Sequence, residues 1–342
     1  MKIAHFINVA PHCSGMYETA REICEAELEG GHDAALINTS WYPKGAPNIT
    51  SSRDRGVDVY PISWSLDADI HALHSIVPDQ AIGYAPVVVF LHGAPEYTFY
   101  DEVFNSYKGD KSFSTLLLWS QDSRYKKFVT LWDRHYEIWK TFFGDSVEYV
   151  PSCVNKHLFV KDGKKMTLQH PGKINIGFCD SWRETYWKDP FRIFSGVRLF
   201  SEKHSGTKLH LFATPSDSIR AEVWNNVMLA IKRHHPDLIG DIWTRITGPD
   251  AMYRSLDMIV STVCEESRIY REALSCNIPV VSNIGLHANK YTADFNSPVS
   301  ICSALEGCWS DIGSGTVSLQ SNNEFSYNAM LKKLESIYTS LI

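Results

Sequence analysis

The 342-residue sequence has no long apolar run, and nothing in it reaches the length of a membrane span. It has no surplus of positive charge. The 33 Lys and Arg against 39 Asp and Glu leave a formal charge of −6, so no global basic field argues for nucleic acid, although a local basic cleft is compatible with that total. Its eight cysteines include no CxxC pair and no finger-like Cys/His spacing, which argues against a structural zinc site. GxGxxG is missing, and with it the dinucleotide fingerprint. There is no internal repeat and no low-complexity segment. The opening, MKIAHFINVA, also lacks a long apolar stretch, and several cysteines sit in apolar contexts as core thiols. The expected setting is a reduced, cytoplasmic compartment.

What is present is a soluble globular composition, 44% apolar and 21% charged. The length exceeds one ordinary core and suits two domains. Lys2 to Val9 reads as a strand, Ala10 to Gly15 as a loop, and Met16 to Glu29 as a helix with Met16, Ala20, Ile23, Cys24 and Leu28 on one side. Gly30-Gly31 ends the helix and Ala34 to Ile37 is the next strand. Asp69 to Ser75 reads as a short strand and its loop. Val87 to Leu91 is a buried strand with His92-Gly93 at its end, and Leu116 to Trp119 is a further strand before Ser120. Val147 to Val150 leads to Pro151, and Pro151 to Phe159 is the crossing between halves.

The second half repeats the pattern. Ile174 to Phe178 is a strand, Cys179 to Lys188 a loop, Pro190 to Phe200 a helix, and Leu209 to Phe212 a strand. Asn225 to Arg233 falls in a helix and Ile242 to Ile246 in a short strand. Met258 to Val260, a helix through Ile269, Tyr270, Ala273, Leu274 and Cys276, and Ile278 to Val281 then form a strand–helix–strand unit. Glu324 to Ile342 is an amphipathic helix. The expected fold class is α/β, with two Rossmann-like doubly wound domains facing across a cleft. The expected boundaries are 1–160, 161–322 and a C-terminal helix over 323–342 packing back on the first domain.

Chemistry concentrates at strand ends. Ser14-Gly15 precedes a helix N-terminus, where glycine lets a ligand approach and N–H groups favour phosphate; a single glycine in a turn is equally a plain turn. His92 is either a ligand-site histidine or one bonded to backbone. Arg183 and Lys188 share one loop, and two cations there can bind a diphosphate and neutralise the charge that grows as it leaves. Glu265, Glu266 and Glu272 flank a helix, and carboxylates there accept hydrogen bonds from the hydroxyls of ribose or hexose. The bland reading of those glutamates is a solvated helix end.

In these blocks the chain resembles the GT-B retaining glycosyltransferases of the family 4 type. The likeness runs over nearly the whole chain: Ser14-Gly15 with Gly31-His32, Asp69 to Ser75, His92-Gly93, Ser120, Val150-Pro151 with Val154 and Phe159, Arg183 with Lys188, and Glu272 with Ala273, Cys276 and Ile278 to Val281. Arg183 to Lys188 with Phe191 and Phe194, Ser14 to His32 and Val87 to His92 are also similar to the DNA α-glucosyltransferases of T-even phages. One departure concerns the paired glutamates. The family encloses seven residues between them, whereas Glu265 and Glu272 enclose six and Cys264 stands at the strict position. Glu265 then takes the sugar-facing role, with Glu266 close behind.

The resemblance implies retaining transfer of a sugar from a nucleotide-diphosphate sugar, used as co-substrate, to an acceptor hydroxyl. It implies no further cofactor and no metal. Arg183 and Lys188 would hold the departing diphosphate, Glu272 the ribose, and His92 the transferred sugar, with Ser14 and Gly15 on the floor near the phosphates. Asp67-Ala68-Asp69 spells DxD but reads as a helix or strand edge. The acceptor leans toward hydroxymethylpyrimidine in double-stranded phage DNA, with a cell-surface or lipid-linked glycan as the alternative. A DNA acceptor calls for a basic groove, to which Arg124, Lys126 and Lys127 are candidates; by itself that cluster reads as a solvated helix face. A catalytically silent sugar-nucleotide-binding protein is the rival from another class. Oligomeric state is left open.

Overall fold

The computed structural model describes residues 1–8, 15–39, 52–54, 56–60, 65, 67–76, 82–93, 95–105, 112–179, 190–212, 218–243, 248–261, 267–283, 289–317 and 326–342. The chain divides into two compact units, Met1–Cys153 with Asn323–Ile342, and Val154–Asn322.

The first unit runs β1 (Lys2–Ile7), α1 (Gly15–Glu29), β2 (Asp33–Asn38), β3 (Ser52–Asp54), β4 (Val57–Tyr60), β5 (Ile70–Leu73) and β6 (Val87–Leu91). It continues with α2 (Pro95–Asn105), α3 (Ser112–Trp119), β7 (Tyr125–Thr130), α4 (Asp133–Phe143) and β8 (Val147–Tyr149). The second unit holds β9 (Ile174–Phe178), α5 (Pro190–Lys203), β10 (Thr207–Phe212), α6 (Ser218–His234), β11 (Ile239–Trp243) and α7 (Pro249–Arg254). Then come β12 (Met258–Val260), α8 (Arg268–Ser275), β13 (Val280–Asn283), β14 (Thr292–Ala293) and α9 (Pro298–Ser314). The chain ends in α10 (Tyr327–Thr339), which belongs to the first unit.

Each unit is built on a parallel sheet. The first has the order β3-β4-β2-β1-β5-β6-β7-β8, with only β3 and β4 antiparallel. The second has the order β11-β10-β9-β12-β13-β14. In each, the chain builds outward from a central strand to one side and then restarts on the other. Strand order therefore reverses between β1 and β5 in the first sheet and between β9 and β12 in the second. The chain thus folds as two doubly wound α/β units.

Alternation along the strands decides what each face packs against. In the first sheet Ile3, Ile7, Ala72, Val88, Phe90 and Val129 pack with Ala20, Ile23 and Cys24 of α1 and with Met330, Leu334 and Tyr338 of α10. The residues between them, Ala4, Phe6, Leu73, Val87, Val89 and Leu91, pack with Leu116 and Trp119 of α3 and Trp139 and Phe143 of α4. Burying strands on both faces is what makes them read as continuous apolar runs. In the second unit Ile176, Phe178, Leu209, Met258 and Val260 pack with Ile193, Val197 and Phe200 of α5 and Ile301 and Leu305 of α9. Gly196 lets those two helices meet, since a Cβ there would stand 2.5 Å from Ile301 Cγ2.

Three expectations are corrected. Leu116 to Trp119 is the end of helix α3, not a strand; Leu116 and Trp119 are buried while Leu118 is exposed. A four-residue apolar run carries no period, and burial at i and i+3 is the helical outcome. The short strand sought at Ile242 to Ile246 starts earlier, at Ile239, and is described as far as Trp243; Thr244 to Ile246 lie outside the described residues. Leu28 lies off the packed face of α1 and is exposed, while Glu27 takes the buried place beside it.

Candidate functional site

In open α/β sheets ligands bind beyond the carboxyl ends of the strands, at the point where strand order reverses. In the second unit that point lies between β9 and β12, which are hydrogen-bonded neighbours with Ile259 opposite Gly177 and Val260 opposite Phe178. β9 leads into the segment holding Arg183 and Lys188, and β12 into the one holding Glu265 and Glu266. Those four residues lie outside the described residues, as does Ser14; the strands that feed the two segments end side by side.

Glu272 is described, and it does not flank the helix. It is the fifth residue of α8, 4% exposed. Its Oε1 lies 2.5 Å from Arg268 Nε, and its Oε2 accepts from the Tyr253 hydroxyl at 2.8 Å. Burial and the adjacent carboxylate hold the Tyr253 hydroxyl well above its usual range, so it stays a donor. Each carboxylate oxygen still has a second lone pair for a ligand hydroxyl. The helix start itself is closed by Ser267, whose hydroxyl accepts from Tyr270 N.

In the first unit the reversal lies between β1 and β5. Asn8, just beyond β1, donates its backbone N–H to Ser75 Oγ at 2.9 Å and its side-chain amide to Ile76 O at 2.9 Å, tying the two strand ends together. Gly15, exposed, opens α1. His92 follows β6 directly and is partly exposed. Its Nε2 lies 2.8 Å from His74 Nδ1. Burial lowers His92 to about 3 and pushes His74 well below its ordinary value, helped by the neighbouring His92 and His5, so both rings are neutral. His92 is therefore bonded to a side chain, an arrangement neither of the two sequence readings contained.

Sequence reading missed His5, Glu27 and Tyr338, which stand behind His74. Their signal was a polar residue at an inward position of a buried strand and another on the apolar side of a helix. The basic cluster is a correction: Arg124 precedes β7, and Lys126 and Lys127 lie in its first half, so they form neither a helix face nor part of the carboxyl-end site. They mark the amino end of the sheet. Arg124 pairs with Asp122 at 2.7 Å and Lys127 with Glu148 at 2.7 Å. Asp67 and Asp69 also lie at that end, bonded to the Lys2 ammonium and backbone N–H respectively. Among the described residues no cluster of His, Cys, Asp and Glu has the makings of a metal site. No described helix is long and apolar enough to cross a membrane.

No protein-family model and no curated protein matches the chain. Solved structures do. A glycosyltransferase from Rickettsia africae is similar with a TM-score of 0.67 at 16% identity, over 99% of this chain and 98% of that one. Anabaena HepE, in complex with UDP and glucose, gives 0.67 at 12% identity over the whole of both chains. An alpha-glucosyltransferase in complex with UDP and a 13-mer DNA containing an HMU base gives 0.63 at 13% identity over 99% of both. These are likenesses of fold. Together with the two parallel sheets they give the chain the GT-B architecture of two parallel-sheet α/β domains.

Proposed function

We propose that the protein is a glycosyltransferase that moves a sugar, with retention, from a nucleotide-diphosphate sugar to an acceptor hydroxyl. One observation supports it above the others. The two strands that lead into the Arg183/Lys188 and Glu265/Glu266 segments are adjacent and end together where the second sheet reverses its order. A diphosphate and a polyhydroxylated ring are the ligands that cations and carboxylates supplied from neighbouring strand ends would suit.

In this reading Arg183 and Lys188 neutralise the diphosphate as the glycosidic bond breaks, which is the largest contribution the protein makes. Glu265, with Glu266 beside it in sequence, faces the transferred sugar. Glu272 takes a ribose hydroxyl on a carboxylate already oriented by Tyr253 and Arg268. Gly15 and Ser14 would serve the phosphates and His92 the transferred sugar. No metal takes part. UDP-sugars are the first donors to test, because UDP accompanies two of the structures similar in fold.

For the acceptor, hydroxymethylpyrimidine in DNA is the reading tested first, on the likeness to an alpha-glucosyltransferase with DNA bound. Arg124 and Lys127 do not contribute, since their partners Asp122 and Glu148 already neutralise them. The described cysteines are all free, which suits action in the reducing cytoplasm. The deciding experiment incubates the protein with UDP-glucose, first without acceptor, then with hydroxymethylated duplex, unmodified duplex or a glycan acceptor. Slow UDP release alone and fast release with hydroxymethylated duplex is the expected result. Binding without turnover across all acceptors would instead indicate a silent sugar-nucleotide-binding protein.

A further inference from the structure

His92 is the last member of a hydrogen-bonded chain that crosses the core of the first unit. The Tyr338 hydroxyl on α10 donates to Glu27 Oε1 on α1 at 2.8 Å. Glu27 Oε2 lies 2.5 Å from His5 Nε2 on β1, His5 Nδ1 lies 2.9 Å from His74 Nε2, and His74 Nδ1 lies 2.8 Å from His92 Nε2. Tyr338, Glu27 and His5 are fully buried, and His74 is 1% exposed.

Strand register explains the alignment. His5 is opposite Ala72, and Ala72 is opposite Val88. Side chains two residues apart share a face, so His74 stands on the face of His5, and Phe90 and His92 stand on the face of Val88. The three rings therefore climb diagonally across neighbouring strands, two residues per step, from the middle of the sheet to its carboxyl end. Phe90 stacks on His74, with ring centroids 4.4 Å apart and planes at 14°, and fixes the middle ring.

Counting protons gives the chain a direction. A carboxylate only accepts, and Tyr338 already donates to it. With one N–H on each imidazole, the three links from Glu27 to His92 need one proton each. His5 therefore donates from Nε2 and accepts at Nδ1, and His74 does the same. His92 donates from Nε2, which leaves its Nδ1 bare, and among the described residues nothing meets that atom. A proton added to His5 would keep the Glu27 link, reverse the two links beyond it and put N–H at His92 Nδ1, so the position of the proton on His92 tells the two arrangements apart.

We propose that Tyr338, Glu27, His5 and His74 are positioning residues that lock His92 in one tautomer, so that its Nδ1 accepts a hydrogen bond from a ligand hydroxyl at the carboxyl end of the first sheet. In naming that hydroxyl as one on the transferred sugar, the inference rests on the transferase reading above. Glu27→Gln is the informative variant. With its carbonyl facing Tyr338 and its NH2 facing His5, every hydrogen bond in the chain is kept only if all three rings reverse, turning His92 Nδ1 from acceptor into donor. In the opposite amide orientation the Tyr338 oxygen would accept from the NH2 and the hydroxyl proton would lose its partner in a dry core, so the reversing orientation is favoured.

The test is nitrogen NMR of the full chain labelled in histidine, near neutral pH, with His92→Asn used to assign the His92 signals. Wild type should show His92 protonated at Nε2 and bare at Nδ1, and Glu27→Gln should show the reverse. A wild-type N–H at His92 Nδ1 overturns the proposal with no variant needed, and an unchanged tautomer in Glu27→Gln overturns the role of Glu27. Where UDP-glucose binds wild type, Glu27→Gln should bind it on the order of tenfold more weakly, because the hydroxyl must then turn to accept from Nδ1 and its own proton loses that partner. Failure of UDP-glucose to bind wild type would count against the transferase reading, and the ring signals report separately on the lock.

Discussion

Lowering the pH from 7.5 to 5 should destabilise the second unit through one histidine. His210, in β10, has no exposed surface. The backbone N–H of Asp241 donates to its Nδ1 at 3.0 Å, and its Nε2 lies 3.1 Å from Asn175 Oδ1. A backbone donor fixes Nδ1 as the bare nitrogen, so the ring is neutral with its proton on Nε2. Adding a second proton would set two N–H groups against each other. Burial, only partly offset by Asp241, lowers the ring to about 4 from an ordinary 6.5. Between those values the unfolded chain binds a proton that the folded chain refuses, so stability falls as the solution is acidified through that window. At pH 5 the unfolded ring is almost fully charged and the folded ring almost fully neutral, and the loss is ~2 kcal/mol relative to pH 7.5. Urea unfolding of wild type and His210→Leu at the two pH values reads this out. The variant should be the less stable at pH 7.5, and the gap should narrow by about 2 kcal/mol at pH 5. Parallel losses in the two proteins would refute the argument.

Tyr253→Phe removes a donor from a buried carboxylate at little change in volume; it should destabilise the protein by about 2 kcal/mol in urea unfolding, and an unchanged midpoint would mean that Arg268 alone holds Glu272. Sugar transfer should persist in EDTA; complete loss restored by manganese would place a metal in the reaction. Thermal shift against UDP, GDP and ADP should single out one nucleotide, because a ligand that binds only the folded chain raises its apparent stability.

Much of the fold was legible because both sheets are buried on two faces, and strands such as Val87 to Leu91 then announce themselves as apolar runs. The reading failed where pattern and length gave no arbitration. Leu116 to Trp119 is as apolar as a strand, and only packing on one side shows the helix. β3 and β4 are short and sit at the sheet edge, where alternation has little length in which to appear. For the site, His92 was visible as a histidine after a buried strand. What stands behind it was not, because the five members of that chain are spread from His5 to Tyr338 and meet only through strand register and the return of α10. Glu272 was visible as a carboxylate, but its ties to Tyr253 and Arg268 depend on how α7 and α8 pack. The basic run at Arg124, Lys126 and Lys127 misled because sequence does not tell which end of a strand a charge will mark.

The most direct test of the central claim is UDP release from UDP-glucose by wild type, Arg183→Ala and Lys188→Ala, each checked for unchanged folding. A cation that stabilises the leaving diphosphate contributes about 3 kcal/mol to the barrier, so each variant should lose on the order of a hundredfold in kcat. Variants that turn over at the wild-type rate would contradict the account.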